Sequence, residues 1–158
     1  MLRRTPCVGI CSTTYGDLIC RGCKRFAHEI VQWNGFDDGQ RQAVWTRLLT
    51  IRRGVVRDHV ALADVALLRE RAGGLGIRNA ESEDALDLAY EVLRRIQRHG
   101  SELASLGLAP TAEVTTVAST VATEPLAGEA RRVLEHIERE FYQRSIAHYE
   151  HSFRTLAQ

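Results

Sequence analysis

All four cysteines of this 158-residue chain, Cys7, Cys11, Cys20 and Cys23, fall within the stretch PCVGICSTTYGDLICRGCKR. The spacing is CxxxC, eight residues, then CxxC. A chain that crowds its thiols in this way is committed to a local fold around them. No apolar run approaches the roughly 20 residues that span a bilayer, and MLRRTPCVGI passes from two arginines straight to proline and cysteine with no signal-type apolar core. The expected setting is therefore the cytoplasm, with no membrane association. In that reducing compartment, closely spaced cysteines bind metal or carry redox chemistry rather than form lasting disulfides.

Each cysteine pair can reach one centre through a tight local turn, with Gly9, Gly16 and Gly22 where the backbone must turn or approach sulfur closely. Four thiolates around zinc, at Zn–S distances of about 2.3 Å, or around an iron–sulfur cluster leave a negative centre. Arg21, Lys24 and Arg25 stand beside it in sequence, and a helix starting near Lys24 would turn its positive end toward the sulfurs. Both effects favour thiolate and account for part of the local positive charge. A metal also answers a folding problem, because some fifty residues with two short helices bury little apolar surface. The spacing does not choose the metal: three, eight and two match neither common ferredoxin pattern, and pairs of this kind also suit zinc.

The pattern expected around the cysteines is helical. KRFAHEIVQWNG places Phe26, Ile30 and Trp33 at helical spacing and stops at Asn34-Gly35. FDDGQRQAVWTRLLTIRR offers Asp37 as an N-cap with Gln40 three residues on, then Val44, Trp45, Leu48 and Leu49 on one face. Trp33 and Trp45 read as core at this spacing, and stacking on a base or partner is the weaker alternative. His28-Glu29 follows the cysteines, and Glu29 is placed to pair with Arg25 one turn earlier. It is either a support for the metal loop or an ordinary surface pair.

Beyond residue 54 the pattern stays helical. RDHVALADVALLRERAGGLG reads as a helix carrying Val60, Leu67 and Leu68. SEDALDLAYEVLRRIQRHG reads as a second, capped by Ser82, with Leu86, Ala89, Tyr90, Leu93 and Ile96 as its apolar stripe. Residues 106–128, rich in Thr, Ala and Val between two prolines, read as a linker with a possible short strand. Residues 129–158 form one long helix through Leu134, Ile137, Phe141, Tyr149, Phe153 and Leu156. The expected fold class is mostly α: a four-cysteine metal-binding module with two short helices over 1–54, a helical region over 55–105, a linker over 106–128 and a C-terminal helix over 129–158.

The stretch from Pro6 to Arg52 resembles the bacterial family of small predicted iron–sulfur proteins catalogued as domain of unknown function 1289. The likeness lies in Pro6-Cys7, Cys11, Cys20, Gly22, Cys23, Arg25, Glu29-Ile30, Trp33 and the basic end of the second helix near Arg52. It covers the first third of the chain and implies a cluster on the cysteines, with no biochemical role attached.

Charge divides the chain. Residues 1–57 carry ten Arg or Lys against four acids, a balance of +6, and residues 58–158 carry eleven against sixteen, a balance of −5. The halves either attract one another or leave the first for an anionic partner. Two functions follow. In one, Cys7, Cys11, Cys20 and Cys23 hold an iron–sulfur cluster or zinc in an accessory or electron-transfer protein. In the other, zinc shapes a basic surface of Arg3, Arg4, Arg21, Lys24 and Arg25 for a protein or, with weaker support, a nucleic-acid partner. His148 and His151, one turn apart, and the more distant His136 have no carboxylate or cysteine arrangement to complete a second metal site. No GxSxG elbow, P-loop or dinucleotide fingerprint is present, so hydrolase and nucleotide-dependent readings have little support and the sequence identifies no enzymatic activity.

Overall fold

A computed structural model describes residues 5–96, 101–111 and 128–154. The fold is mostly α, with five α-helices among the described residues: α1 (Ala27–Gln32), α2 (Asp38–His59), α3 (Val65–Gly74), α4 (Ala85–Ile96) and α5 (Glu129–Arg154). Two three-residue strands, β1 (Val60–Leu62) and β2 (Leu108–Pro110), pair antiparallel, with Val60 opposite Pro110 and Leu62 opposite Leu108. Among the described residues no helix is long and apolar enough to cross a membrane. The chain divides into two compact units, Met1–Ile51 with Glu140–Gln158, and Arg52–Arg139. Both α2 and α5 are thus cut by the division.

In the first unit the start of α2 follows its sequence closely. Gln40 N donates to Asp37 Oδ1 at 2.7 Å and Asp37 N to Gln40 Oε1 at 2.9 Å, a reciprocal cap that satisfies two amides left open at the helix start. Val44 and Leu48 are buried one turn apart, whereas Trp33, Trp45 and Ile30 are only half-buried. The tryptophans expected in the core therefore lie at its margin.

In the second unit two expectations are corrected. The second helix is not short: α2 continues through residue 54 to His59, because Val55 and Val56 are fully buried and outweigh the helix cost of Gly54. The single helix expected over RDHVALADVALLRERAGGLG is instead the end of α2, strand β1 and α3. Ala63 and Asp64 direct their amides at the Gly107 carbonyl, at 3.0 and 2.9 Å, which breaks helical pairing there. The Asp64 carboxylate then accepts from Leu67 N at 3.0 Å and starts α3 afresh. Strand β2 falls inside the segment read as a linker, and residues 112–127 of that segment lie outside the described residues.

Helix α4 buries Ala89, Tyr90, Leu93 and Ile96 of the expected stripe but leaves Leu86 half-buried and buries Leu88 and Val92 as well, while its cap is Asp84, which accepts from Leu86 N at 2.9 Å, rather than Ser82. On α5, Leu134, Ile137 and Phe141 are buried, Tyr149 is half-buried and Phe153 is exposed; Leu156 lies outside the described residues. Two arginines of α2 converge on one buried carboxylate of α4. Arg52 Nη2 reaches Asp87 Oδ1 at 2.9 Å and Arg53 Nη2 reaches Asp87 Oδ2 at 2.5 Å, with Arg52 also stacked 4.6 Å from the Tyr90 ring. The Tyr90 phenol donates to Glu138 on α5 at 2.6 Å, and burial followed by the Glu138 charge pushes its pKa up. Removing the carboxylate leaves half-buried Arg52 with only the longer 3.9 Å pair to Glu91 and leaves Arg53 without its nearest acid. Asp87→Ala should lower unfolding stability by about 3 kcal/mol or more in a urea titration followed by helical circular dichroism, whereas truncating the exposed Arg131–Glu135 pair should change it by less than about 1 kcal/mol.

Candidate metal centre

The CxxC pair sits at the tip of a short hairpin. Cys20 N donates to the Arg25 carbonyl at 2.9 Å, Ala27 N to the Leu18 carbonyl at 2.8 Å, and Ile19 bridges Phe26 in antiparallel fashion. Within the tip, Lys24 N donates to the Cys20 carbonyl at 2.8 Å, and Lys24 takes a left-handed backbone with φ of 57°. A non-glycine residue there costs of order 1 kcal/mol or more. Two contacts offset it: Lys24 Nζ donates to the Gly22 carbonyl at 3.2 Å and sits 5.1 Å above the Phe141 ring.

Cys20 and Cys23 are buried, Cys11 is half-buried and Cys7 is exposed. Burial pushes the Cys20 thiol up, but hydrogen bonds to the backbone of Cys23, Ser12 and Gly22 outweigh it and bring the thiol to about 7. The Cys23 thiol is pushed up by burial, opposed by Arg25, whose Nε lies 3.5 Å from Sγ. Cys11 Sγ shares a hydrogen bond of 2.9 Å with Thr13 Oγ1, and Cys7 Sγ accepts from Gly9 N at 3.4 Å.

The CxxxC loop is pressed against the hairpin tip at Gly22. A Cβ on Gly22 would stand 2.7 Å from Val8 Cγ2, 2.9 Å from the Ile10 carbonyl oxygen and 3.8 Å from Cys20 Sγ. Gly9 and Gly16, both at φ 95°, supply the turns around this contact, which are the roles expected of all three glycines. Arg21 N donates to Ser12 Oγ at 2.8 Å and ties the same two segments together. The donor set suits a thiolate-bound metal: four sulfurs, with amide and guanidinium donors aimed at several of them. Among the described residues, however, no three His, Cys, Asp or Glu side chains are gathered at metal-binding distance. Cys20 and Cys23 are brought together, and Cys7 and Cys11 stand on the adjoining loop.

The basic residues are placed differently from the sequence reading. Lys24 and Arg25 are buried, 1% and 4% exposed, so they form no partner surface. Arg25 stacks 4.8 Å from the Trp33 ring, and exposed Arg21 is paired with Asp17 at 2.9 Å. Arg3 and Arg4 lie outside the described residues. Glu29 is buried and pairs with Arg47 of α2 at 2.6 Å rather than with Arg25, while the same oxygen accepts from Phe26 N at 2.9 Å. Helix α1 starts only at Ala27 and spans six residues, so hydrogen-bond donors rather than a helix end meet the sulfurs. Arg47, whose guanidinium lies 3.8 Å from the Phe26 ring centre and whose pKa is lowered by burial against the opposing influence of Glu29 and Cys23, is the supporting residue that sequence reasoning missed. The eighteen-residue gap between Glu29 and Arg47 carried no local signal. The far end of α5 completes this surround, with Tyr149 and Phe153 at 4.9 and 6.0 Å from Phe26 and His28 at 5.4 Å from Phe153.

Residues 5–52 match the family described as protein of unknown function (DUF1289). This is the resemblance carried by the cysteine stretch, and it ends where the first unit leaves α2. No curated protein and no solved structure matched the chain.

The packing makes two outcomes measurable. Gly22→Ala should force the CxxxC loop off the hairpin tip, because the Ile10 carbonyl is backbone and cannot swing aside. A loss of about 1–3 kcal/mol is expected by thermal unfolding, against little change for Gly35→Ala, where a Cβ meets open space. The second concerns His148, whose pKa is lowered by partial burial, then by the charges of Arg47 and His151, with Glu29 opposing. Its folded value lies below the unfolded 6.5, so the folded chain binds fewer protons and stability falls as pH drops below about 6.5. The difference in thermal midpoint between pH 8 and pH 5 should shrink in His148→Asn; an unchanged difference would rule His148 out as a source.

Proposed function

We propose that Cys7, Cys11, Cys20 and Cys23 hold one metal centre, an iron–sulfur cluster or a zinc ion, that organises the N-terminal unit of a cytoplasmic accessory protein. The observation that carries this reading is the hairpin tip: two buried thiols three residues apart, met by backbone donors, with a second cysteine-bearing loop packed on Gly22. A cation beside the pair would favour the thiolate form that backbone donors already support at Cys20 and that burial opposes at Cys23. A zinc ion would contribute folding energy of order 10 kcal/mol, and a cluster would add one-electron chemistry suited to electron transfer. A protein partner is favoured over nucleic acid, because the cysteine loops expose Ile10, Tyr15 and Leu18 at 78%, 90% and 61%, whereas Lys24 and Arg25 are buried.

The test is anaerobic purification of the full chain followed by metal and acid-labile sulfide analysis and a visible spectrum. Either stoichiometric zinc in a colourless sample or iron with sulfide in a coloured, reducible one is expected. A chain that purifies without metal and unfolds at the same temperature after all four cysteines are replaced by serine would overturn the proposal.

A further inference from the structure

We infer that the cysteine loops carry a self-complementary docking face, built from Val8, Ile10, Tyr15 and Leu18 around the Asp17–Arg21 ion pair, and that its partner is a second copy of this chain. This rests on the protein-partner reading above, which it narrows to one partner, and it needs no metal.

Four large apolar side chains within residues 8–18 face solvent: Val8, Ile10, Tyr15 and Leu18 are 37%, 78%, 90% and 61% exposed. So many in so short a stretch mark a surface that is covered in use. They share one support. Val8 and the Ile10 carbonyl lie against Gly22, and Arg21 N donates to Ser12 Oγ at 2.8 Å, which ties the turn ending in Tyr15 to the same hairpin. Gly16 N closes that turn on the Thr13 carbonyl at 3.1 Å. Leu18 leads into the hairpin, where its carbonyl accepts from Ala27 N at 2.8 Å. Its neighbour Ile19 is buried, so by the alternation of an extended strand Leu18 stands on the outer side. A face held by these bonds loses little conformational entropy on docking, and an exposed tyrosine on it brings contact area together with a polar hydroxyl.

Charge selects the partner. Across residues 5–23 the only charged side chains are Asp17 and Arg21, paired at 2.9 Å with 26% and 70% of their side chains exposed. The Arg21 guanidinium is also held 5.5 Å from the Tyr142 ring. The next two cations, Lys24 and Arg25, are buried, so no surplus of one sign is left on the face to repel its own copy. In a two-fold contact the same patch serves both sides, and residue i meets j while j meets i. An axis passing between the two charges sets Arg21 of each copy against Asp17 of the other, so a pair within one chain becomes two pairs across the contact. The apolar side chains then supply affinity, and the crossed charges fix the orientation.

The test is sedimentation equilibrium of the full chain under a phosphine reductant, so that a disulfide between copies cannot imitate the contact. The wild-type chain should show a reversible monomer–dimer equilibrium. Tyr15→Ser and Leu18→Ser should each weaken it about tenfold or more, whereas Val65→Ser, at an exposed position of α3, should leave it unchanged. Asp17→Arg and Arg21→Asp should each weaken self-association about tenfold or more by placing like charges together, and a mixture of the two variants should recover the dimer. Misfolded variants would not recover on mixing, so recovery separates a lost contact from a lost fold. A wild-type chain that stays monomeric at about 100 μM, a mixture that fails to recover, or an equal effect of Val65→Ser overturns the inference, and so does association only with a different protein. Metal content measured on the same samples keeps the two readings apart: a monomer that holds metal overturns the second-copy assignment alone, and a dimer without metal supports that assignment and counts against the metal centre.

Discussion

Glu29 joins three parts of the N-terminal unit through one carboxylate. Its Oε2 accepts from Phe26 N, the amide that opens α1, and from Arg47 of α2 at 2.6 Å. Both side chains are nearly buried, at 8% and 11% exposed, so neither charge is tolerable without the other. The guanidinium carbon then lies 3.8 Å from the centre of the Phe26 ring, which is the hub against which the hairpin of Cys20 and Cys23 and the aromatic residues of α5 close. Cation–π attraction recovers part of the desolvation cost of an arginine with an unbonded buried Nη1. The cysteine hairpin therefore hangs from a polar device rather than from an ordinary apolar core, and the metal reading begins from a hairpin already held in place.

The same use of charge recurs in the second unit, where Asp87 takes two arginines. This explains where much of the positive charge of the first 57 residues goes. Arg47, Arg52 and Arg53 are matched by Glu29 and Asp87, and Lys24 and Arg25 are turned inward. Glu29 is already counted in the +6 balance of residues 1–57, so it is Asp87, from the acidic part of the sequence, that brings a further counter-charge to Arg52 and Arg53, while Lys24 and Arg25 are buried. Arg21, which is exposed, is engaged by Asp17 and lies 5.5 Å from the Tyr142 ring.

What could be read from the sequence was local chemistry. The Asp37–Gln40 cap, the turn glycines of the cysteine loops and most of the apolar stripe of α4, Leu86 excepted, follow from neighbours within one or two turns and appear as expected. What escaped depends on distant partners. The break at Ala63-Asp64 is set by the Gly107 carbonyl more than forty residues away, and the length of α2 by burial of Val55 and Val56. The pairing of Glu29 went to Arg47 because the nearer Arg25 is drawn to Trp33 and to the Cys23 sulfur. Charge spacing named a plausible partner, and aromatic packing reassigned it.

The family match stops at residue 52, yet the unit that carries the cysteines does not. Phe141 lies beneath the Lys24 ammonium, Tyr142 beneath Arg21, and Tyr149 and Phe153 edge onto Phe26. These four residues of α5 touch the residue after Cys23, the residue after Cys20 and the hub of the hairpin. Lys24 is the position with a left-handed backbone, so the helix that supports its side chain also helps maintain the turn presenting Cys20 and Cys23. In this chain the compact cysteine motif is completed from the other end of the sequence, and its rigidity is a property of residues 140–154 as much as of the motif itself.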